Sequence, residues 1–184
     1  MHMALDTRAW TRADLDRLPD DGNKYEVLDG ELLVTPAPSP VHQQIIAWLS
    51  QRLTPFVATH GIGVVHQARS VMVNGPTRQV EPDLMVLPIG RFETWDAAPT
   101  PKLVIEVLSK ATRRRDLAQK RRFYMERGVE EYWAVDRQDR SIMRVRRDAA
   151  ESVTALLTWG PTGTFAALEI DASVMFGEVL GTWP

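Results

Sequence analysis

The sequence contains no cysteine, which removes disulfides and thiolate zinc centres and suits a reducing compartment. No apolar run approaches the length of a membrane span, and the N-terminus has no basic region leading into an apolar one. A soluble, cytoplasmic chain without a membrane partner is the expectation. Positive charge is not in excess either. The formal net charge is −2, so any contact with nucleic acid has to rest on local charge. Nothing resembles a base-reading module such as a helix-turn-helix or a zinc finger, and there is no internal repeat, low-complexity tract or domain-dividing linker.

What is present suits one globular domain over residues 1–184, with residues 1–10 expected to be disordered or partly tag-derived through Met1-His2-Met3. Hydrophobic residues make up 44% and charged residues 25% of the 184 positions, ordinary values for a chain of this length, which buries about 70% of its unfolded surface without a staple. Thr11 is placed to cap a helix carrying Leu15 and Leu18 on one face, and Pro19 to Asn23 breaks it. Lys24 to Leu28 and Glu31 to Thr35 flank Asp29-Gly30, a two-residue hairpin signal. Ser39-Pro40 is a cap and first-turn pair, after which Ile45, Ile46, Leu49, Leu53, Phe56 and Val57 recur at helical spacing to about Thr59.

Strands are expected at Val64 to Val73, Val80 to Leu87 and Leu103 to Leu108, with an irregular loop from Pro88 to Pro101. Thr112 is expected to cap a helix from Arg113 to about Arg127, with Gly128 as its stop. Further strands are expected at Glu131 to Val135, Ser141 to Arg147, Val153 to Leu157 and Phe165 to Leu168, and Val174-Met175-Phe176 forms a last apolar patch. The order of elements is that of an α/β fold with a central mixed β-sheet flanked by helices.

Two acids interrupt strands that otherwise read as buried: Asp83, behind Glu81-Pro82, and Glu106, within Leu103 to Leu108. Carboxylates at the edge of a core cost free energy unless compensated. Two hard oxygen ligands with a backbone carbonyl and waters suit Mg²⁺ or Mn²⁺, which activates water and offsets charge on a phosphoryl transition state. Asp116, Lys120 and Tyr124 follow at spacing four, one stripe of the next helix. A lysine on that stripe has two readings: it faces the acids, or Asp116–Lys120 is a surface ion pair of small energetic worth.

Taken in order, these residues resemble a family. Tyr25-Glu26-Val27-Leu28-Asp29-Gly30-Glu31, Ser39-Pro40-Val41-His42-Gln43, Glu81-Pro82-Asp83, Val104-Ile105-Glu106-Val107-Leu108-Ser109, Arg114-Arg115-Asp116 with Lys120 and Tyr124, and Gly128-Val129-Glu130-Glu131-Tyr132-Trp133 are similar to the Uma-type restriction endonuclease family, a branch of the PD-(D/E)xK nucleases. The resemblance covers roughly Tyr25 to Asp136. It implies a restriction-endonuclease-like fold, Mg²⁺ or Mn²⁺, and hydrolysis of DNA phosphodiesters by metal-activated water.

By position it makes Asp83 and Glu106 the metal ligands, with the Val107 backbone carbonyl a third, and Glu26 a supporting acid. The lysine that the superfamily sets two residues after the second acid is replaced here by Leu108. In this branch the lysine comes from the following helix, which points to Lys120. The chain departs from the family at Lys110-Ala111, where Pro-Ser or Pro-Thr is common. A homodimer is expected by resemblance, since one site cuts one strand.

His42, in the first turn of its helix, is a candidate phosphate contact, or a solvated histidine. Arg114, Arg115 and Tyr124 are further candidate substrate contacts, in a basic run from Lys110 to Arg122 that reads either as a phosphate-backbone surface or as a solvated helix face. Trp48 belongs to a core face or a dimer contact. Tyr132 and Trp133 read as core, Trp159 as exposed in a turn, His60 and His66 as structural, and Glu31 as part of the hairpin. The leading expectation is a divalent-metal-dependent DNA endonuclease. Its rivals are a catalytically silent nuclease-fold module that binds DNA or protein, and an enzyme acting on RNA or other phosphodiesters.

Overall fold

Residues 8–67, 69–147, 149–161 and 167–181 are described by a computed structural model. The N-terminal helix α1 is a single turn, Arg12–Leu15. The Asp14 carboxylate accepts from the Thr11 hydroxyl at 2.7 Å and from its backbone N–H at 2.9 Å, the capping expected at that residue. The hairpin forms as the turn residues dictate: β1 (Lys24–Leu28) and β2 (Glu31–Thr35) pair antiparallel, with Asp29 and Gly30 at φ of 55° and 81°. Helix α2 (Pro40–Thr59) follows, with Ser39 as cap and Pro40 in the first turn.

The β stretch after α2 is not continuous. It divides into β3 (Val64–His66) and β4 (Met72–Val73), which join different sheets. The next divides likewise into β5 (Gln79–Val80) and β6 (Leu84–Leu87), because Pro82 cannot donate to a ladder. A four-stranded sheet runs β2-β1-β5-β4. The larger sheet has the order β10-β9-β8-β7-β6-β3, where β7 is Leu103–Val107, β8 is Glu131–Asp136, β9 is Ser141–Arg146 and β10 is Ala149–Val153. Only β7 and β8 pair in parallel within it. A parallel pair requires a crossover, and here it is helical: α3 (Arg113–Arg115), a π turn (Asp116–Lys120) and α4 (Arg121–Glu126).

Details differ from expectation near the crossover and the C-terminus. Thr112 stands at the N-cap position of α3 as expected, but its side chain bonds back: the Ser109 hydroxyl accepts the Thr112 N–H at 3.1 Å, and Thr112 Oγ1 accepts the Ser109 N–H at 3.2 Å. The strand expected at Val153 to Leu157 straddles a turn between β10 and β11 (Leu156–Trp159), and β11 pairs with β12 (Leu168–Asp171). Phe165 lies outside the described residues. Val174, Met175 and Phe176 belong to helix α5 (Ala172–Leu180), capped by the Asp171 carboxylate, which accepts the Val174 N–H.

The alternation of β7 divides the core. Leu103, Ile105 and Val107 face α2 and α5, with Leu49, Leu53 and Phe176 among their neighbours, whereas Val104 and Leu108 face α4, with Phe123 and Tyr124. Glu106, in phase with Val104 and Leu108, therefore points toward α4. Tyr132 and Trp133 are fully buried, as expected. Trp159 is buried as well, not exposed: β11 brings it against Trp133, edge to face, and Phe56. Trp48 belongs to the core and donates its indole N–H to Glu178 on α5 at 2.6 Å. Among the described residues no helix is long and apolar enough to cross a membrane.

Gly63, just before β3, packs its backbone closely against that of Leu87. A Cβ there falls 1.9 Å from the Leu87 carbonyl oxygen. Gly63→Ala forces β3 away from β6, an overpacking strain of about 1–3 kcal/mol. The expected outcome is a lower urea midpoint at an unchanged slope, measured by tryptophan fluorescence.

Candidate active site

Strand register explains why Pro82 and Asp83 sit together. Leu84 pairs with Ile105, so two residues earlier Pro82 comes opposite Val107. Proline has no N–H to offer that partner. The next residue supplies the missing partner with its side chain, for Asp83 Oδ2 accepts the Val107 N–H at 2.8 Å. The N–H and C=O of one residue leave a strand on the same side, so the Val107 carbonyl also faces the Asp83 edge, where Pro82 cannot donate to it.

The same carboxylate has two further neighbours. His42 Nε2 lies 3.2 Å from Asp83 Oδ2, and Lys24 Nζ lies 3.4 Å from Oδ1 while donating to the Glu81 carbonyl at 3.0 Å. Burial raises the Asp83 carboxyl, but Lys24, His42 and the Val107 N–H outweigh it and hold the group well below the usual carboxylate range.

Glu106 occupies the centre of a second, deeper set. Its Oε1 accepts from Lys120 Nζ at 2.9 Å and from the Tyr124 hydroxyl at 2.5 Å. Lys120 also lies 2.7 Å from Glu26 Oε1 and 4.0 Å from Asp116 Oδ1, and its side chain is 1% exposed. Asp116–Lys120 is therefore no surface pair. Glu26 Oε1 accepts the Glu81 N–H at 2.7 Å, tying β1 to the segment before Asp83. Burial, with Asp83 and Asp116 nearby, pushes the Glu106 carboxyl up to about 7 against the pull of Lys120 and Lys24. Burial lowers Lys120, yet Glu106, Glu26 and Asp116 raise it well above the ordinary lysine value.

Asp83, Glu106, Lys24, His42, Lys120 and Arg115 share one cleft of about 410 Å³. Tyr124, expected against substrate, is fully buried and reaches only as far as Glu106. The basic run is partly tied up in ion pairs and hydrogen bonds. Arg113 is taken up by Asp136 and Asp139, Arg122 by Asp29, and Arg115 donates to the Thr35 hydroxyl at 2.7 Å. Arg114 is exposed and does not line the cleft. The run gives the cleft Arg115 and Lys120, and its other lining lysine and arginines come from scattered positions: Lys24, Arg69 and Arg137. Lys24 is the residue the sequence reading passed over. Its signal was period two, since Lys24 and Glu26 share a face of β1.

Among the described residues no three histidine, aspartate or glutamate side chains converge as a ready cation site. Mg²⁺ asks for less, because it keeps several waters and uses one or two carboxylates. Asp83, Glu106 and the Val107 carbonyl are such a hard-oxygen set. Two observations fit a divalent cation there. Glu26 Oε2 is buried without a hydrogen-bond partner. The carboxylates of Glu26, Asp83, Glu106 and Asp116 also outnumber the nearby cations Lys24, Lys120 and Arg115, the last 3.7 Å from Asp116.

The family model described as "Uma2: Putative restriction endonuclease" matches residues 12–172. No curated protein matches the chain. Among solved structures, a putative nuclease belonging to DUF820 from Anabaena variabilis is similar, with a TM-score of 0.75 over 92% of this chain and 99% of that one, at 16% identity. At that identity the likeness speaks for the fold.

Lys120→Met leaves Glu26, Glu106 and Asp116 without the ammonium between them. Breaking a buried pair in this way costs about 3–5 kcal/mol. The carboxyls left behind have folded pKa values above their unfolded ones, so the folded state takes up protons and the stability deficit grows as pH rises. Urea unfolding at pH 5 and pH 8 should show a larger loss at pH 8.

Proposed function

From the premise that the chain belongs to the Uma2 family of putative restriction endonucleases, we propose that it is a divalent-metal-dependent endonuclease that hydrolyses DNA phosphodiesters. The observation that carries this reading is the convergence of Asp83 and Glu106 on one cleft, with the Val107 backbone bound to Asp83. Asp83, Glu106 and the Val107 carbonyl would hold Mg²⁺ or Mn²⁺, which when bound supplies a Lewis acid and a more acidic water.

The chain's own residues do the positioning. The Val107 N–H and His42 both engage Asp83 Oδ2, which leaves Oδ1 turned to Lys24 and the cleft. Tyr124 and Lys120 both bind Glu106 Oε1, which leaves Oε2 as its free ligand atom. Glu26 anchors Lys120 and the Glu81 backbone, and so holds the three strands β1, β5 and β7 in register around the site. Asp83 is kept ionised, whereas Glu106 is pushed up to about 7. A divalent charge favours the ionised form of both.

The DNA backbone is the substrate class that suits the cleft's scattered cations, Lys24, Arg69, Arg115 and Arg137. Their positions, rather than the net charge of −2, set the local field. A single site cuts one strand. Cutting both calls for two copies, and we assign the homodimer to that task.

Plasmid nicking with Mg²⁺ or Mn²⁺ tests the reading. Asp83→Ala and Glu106→Ala should each lower the rate by about 10³-fold or more and abolish Mn²⁺ binding in calorimetry, with the far-ultraviolet circular dichroism unchanged. Cleavage at the parental rate by both variants refutes the site. DNA binding by the parent without turnover over both metals leaves a silent binding module.

A further inference from the structure

Two lysines border the carboxylates, and they are not equivalent. The Lys120 ammonium meets Glu26 at 2.7 Å, Glu106 at 2.9 Å and Asp116 at 4.0 Å, with 1% of the side chain exposed. An ammonium has three N–H donors, and two of these are engaged by Glu106 and Glu26. Lys120 touches the cleft, but at 1% exposure it offers almost no surface to a ligand there. Lys24 differs on each count. Its side chain is 20% exposed, it lines the cleft, and it makes one good hydrogen bond, to the Glu81 carbonyl at 3.0 Å. Its contact with Asp83 is longer, at 3.4 Å. That leaves a donor for the cleft, on a side chain held at the edge of the metal-ligand candidate Asp83.

We infer, resting on the nuclease reading above, that Lys24 and not Lys120 is the lysine that meets the scissile phosphate, donating to a non-bridging oxygen as negative charge builds there. Lys120 is then a positioning residue that holds Glu106 and Glu26. An ammonium is a cationic donor with no acceptor. Flexible lysine suits this task, since its stem lets the charge follow the phosphate while the strand holds its Cα. Lys24 begins β1, next to the cleft-lining Gly22 and Asn23.

The test uses the full chain, as parent, Lys24→Gln, Lys24→Arg and Lys24→Met, the last keeping the apolar stem should Lys24→Gln not fold. Melting temperature is read for each. Plasmid nicking with Mg²⁺ gives kcat and KM. Binding of a short fluorescent DNA duplex in Ca²⁺ is followed as a function of salt. The expected result is a fall in kcat of about 10²–10³-fold for Lys24→Gln, a smaller change in KM, and partial recovery in Lys24→Arg. The slope of log affinity against log salt should fall by about one. A merely structural lysine does not move that slope.

If the parent nicks and the neutral variants match its kcat and its salt slope, Lys24 is not the phosphate contact, and the nuclease reading stands. If the parent does not nick with Mg²⁺ or Mn²⁺, the nuclease reading fails, and binding alone decides. A slope reduced by one in Lys24→Gln then keeps the phosphate contact, and an equal slope or no binding by the parent removes it.

Discussion

The buried charge around Lys120 constrains most of the molecule. An ammonium with 1% exposure is tolerable only with carboxylates against it, and each of its carboxylates comes from a different element. Glu26 arrives on β1, Glu106 on β7 and Asp116 on the π turn, while Tyr124 from α4 completes the shell of Glu106. None of these groups is satisfied until the smaller sheet, the larger sheet and the crossover helix are all in place. The cluster therefore acts as a register lock, and its price is an excess of negative charge. Burial, with Asp83 and Asp116 adding to it, pushes Glu106 up to about 7.

The irregularities of the fold gather at the same place. Pro82 ends the ladder beside Val107, so β5 and β6 part there and Asp83 takes over the hydrogen bond. The crossover helix widens into a π turn between Asp116 and Lys120, and the Tyr132 hydroxyl donates to the Asp116 carbonyl at 3.1 Å. π turns occur frequently at functional sites. Here the widening brings Lys120 and Tyr124 onto the same oxygen of Glu106. Departures from regular structure that each cost stability are kept where their groups converge, which is how a site differs from a packing defect.

Local chemistry was legible where it acts over a few residues. Asp29-Gly30 specified the hairpin, Ser39-Pro40 with the apolar spacing specified α2, and Glu106 stood out as an acid interrupting an apolar strand. The site's acids, Asp83 and Glu106, and the stripe of Asp116, Lys120 and Tyr124 were readable for the same reason. What failed was whatever depends on a distant partner. The apolar stretch from Val64 to Val73 reads as one strand, yet its halves serve two sheets. Trp159 reads as a turn residue and is buried because Phe56 and Trp133 await it. The run from Lys110 to Arg122 left two readings open, and which of its cations are paired was set by Asp29, Thr35, Asp136 and Asp139, far away in the chain.

The sequence by itself determined the fold class, the hairpin, the long helix and the acids of the site, because turn dihedrals, caps and side-chain period are properties of neighbouring residues. Tertiary structure alone decided which charges are free. A lysine's role depends on how many carboxylates surround it and how much water reaches it, and both are set by elements far apart in the chain. That is why the Lys120 side chain is 1% exposed and that of Lys24 20%, a distinction that spacing does not encode.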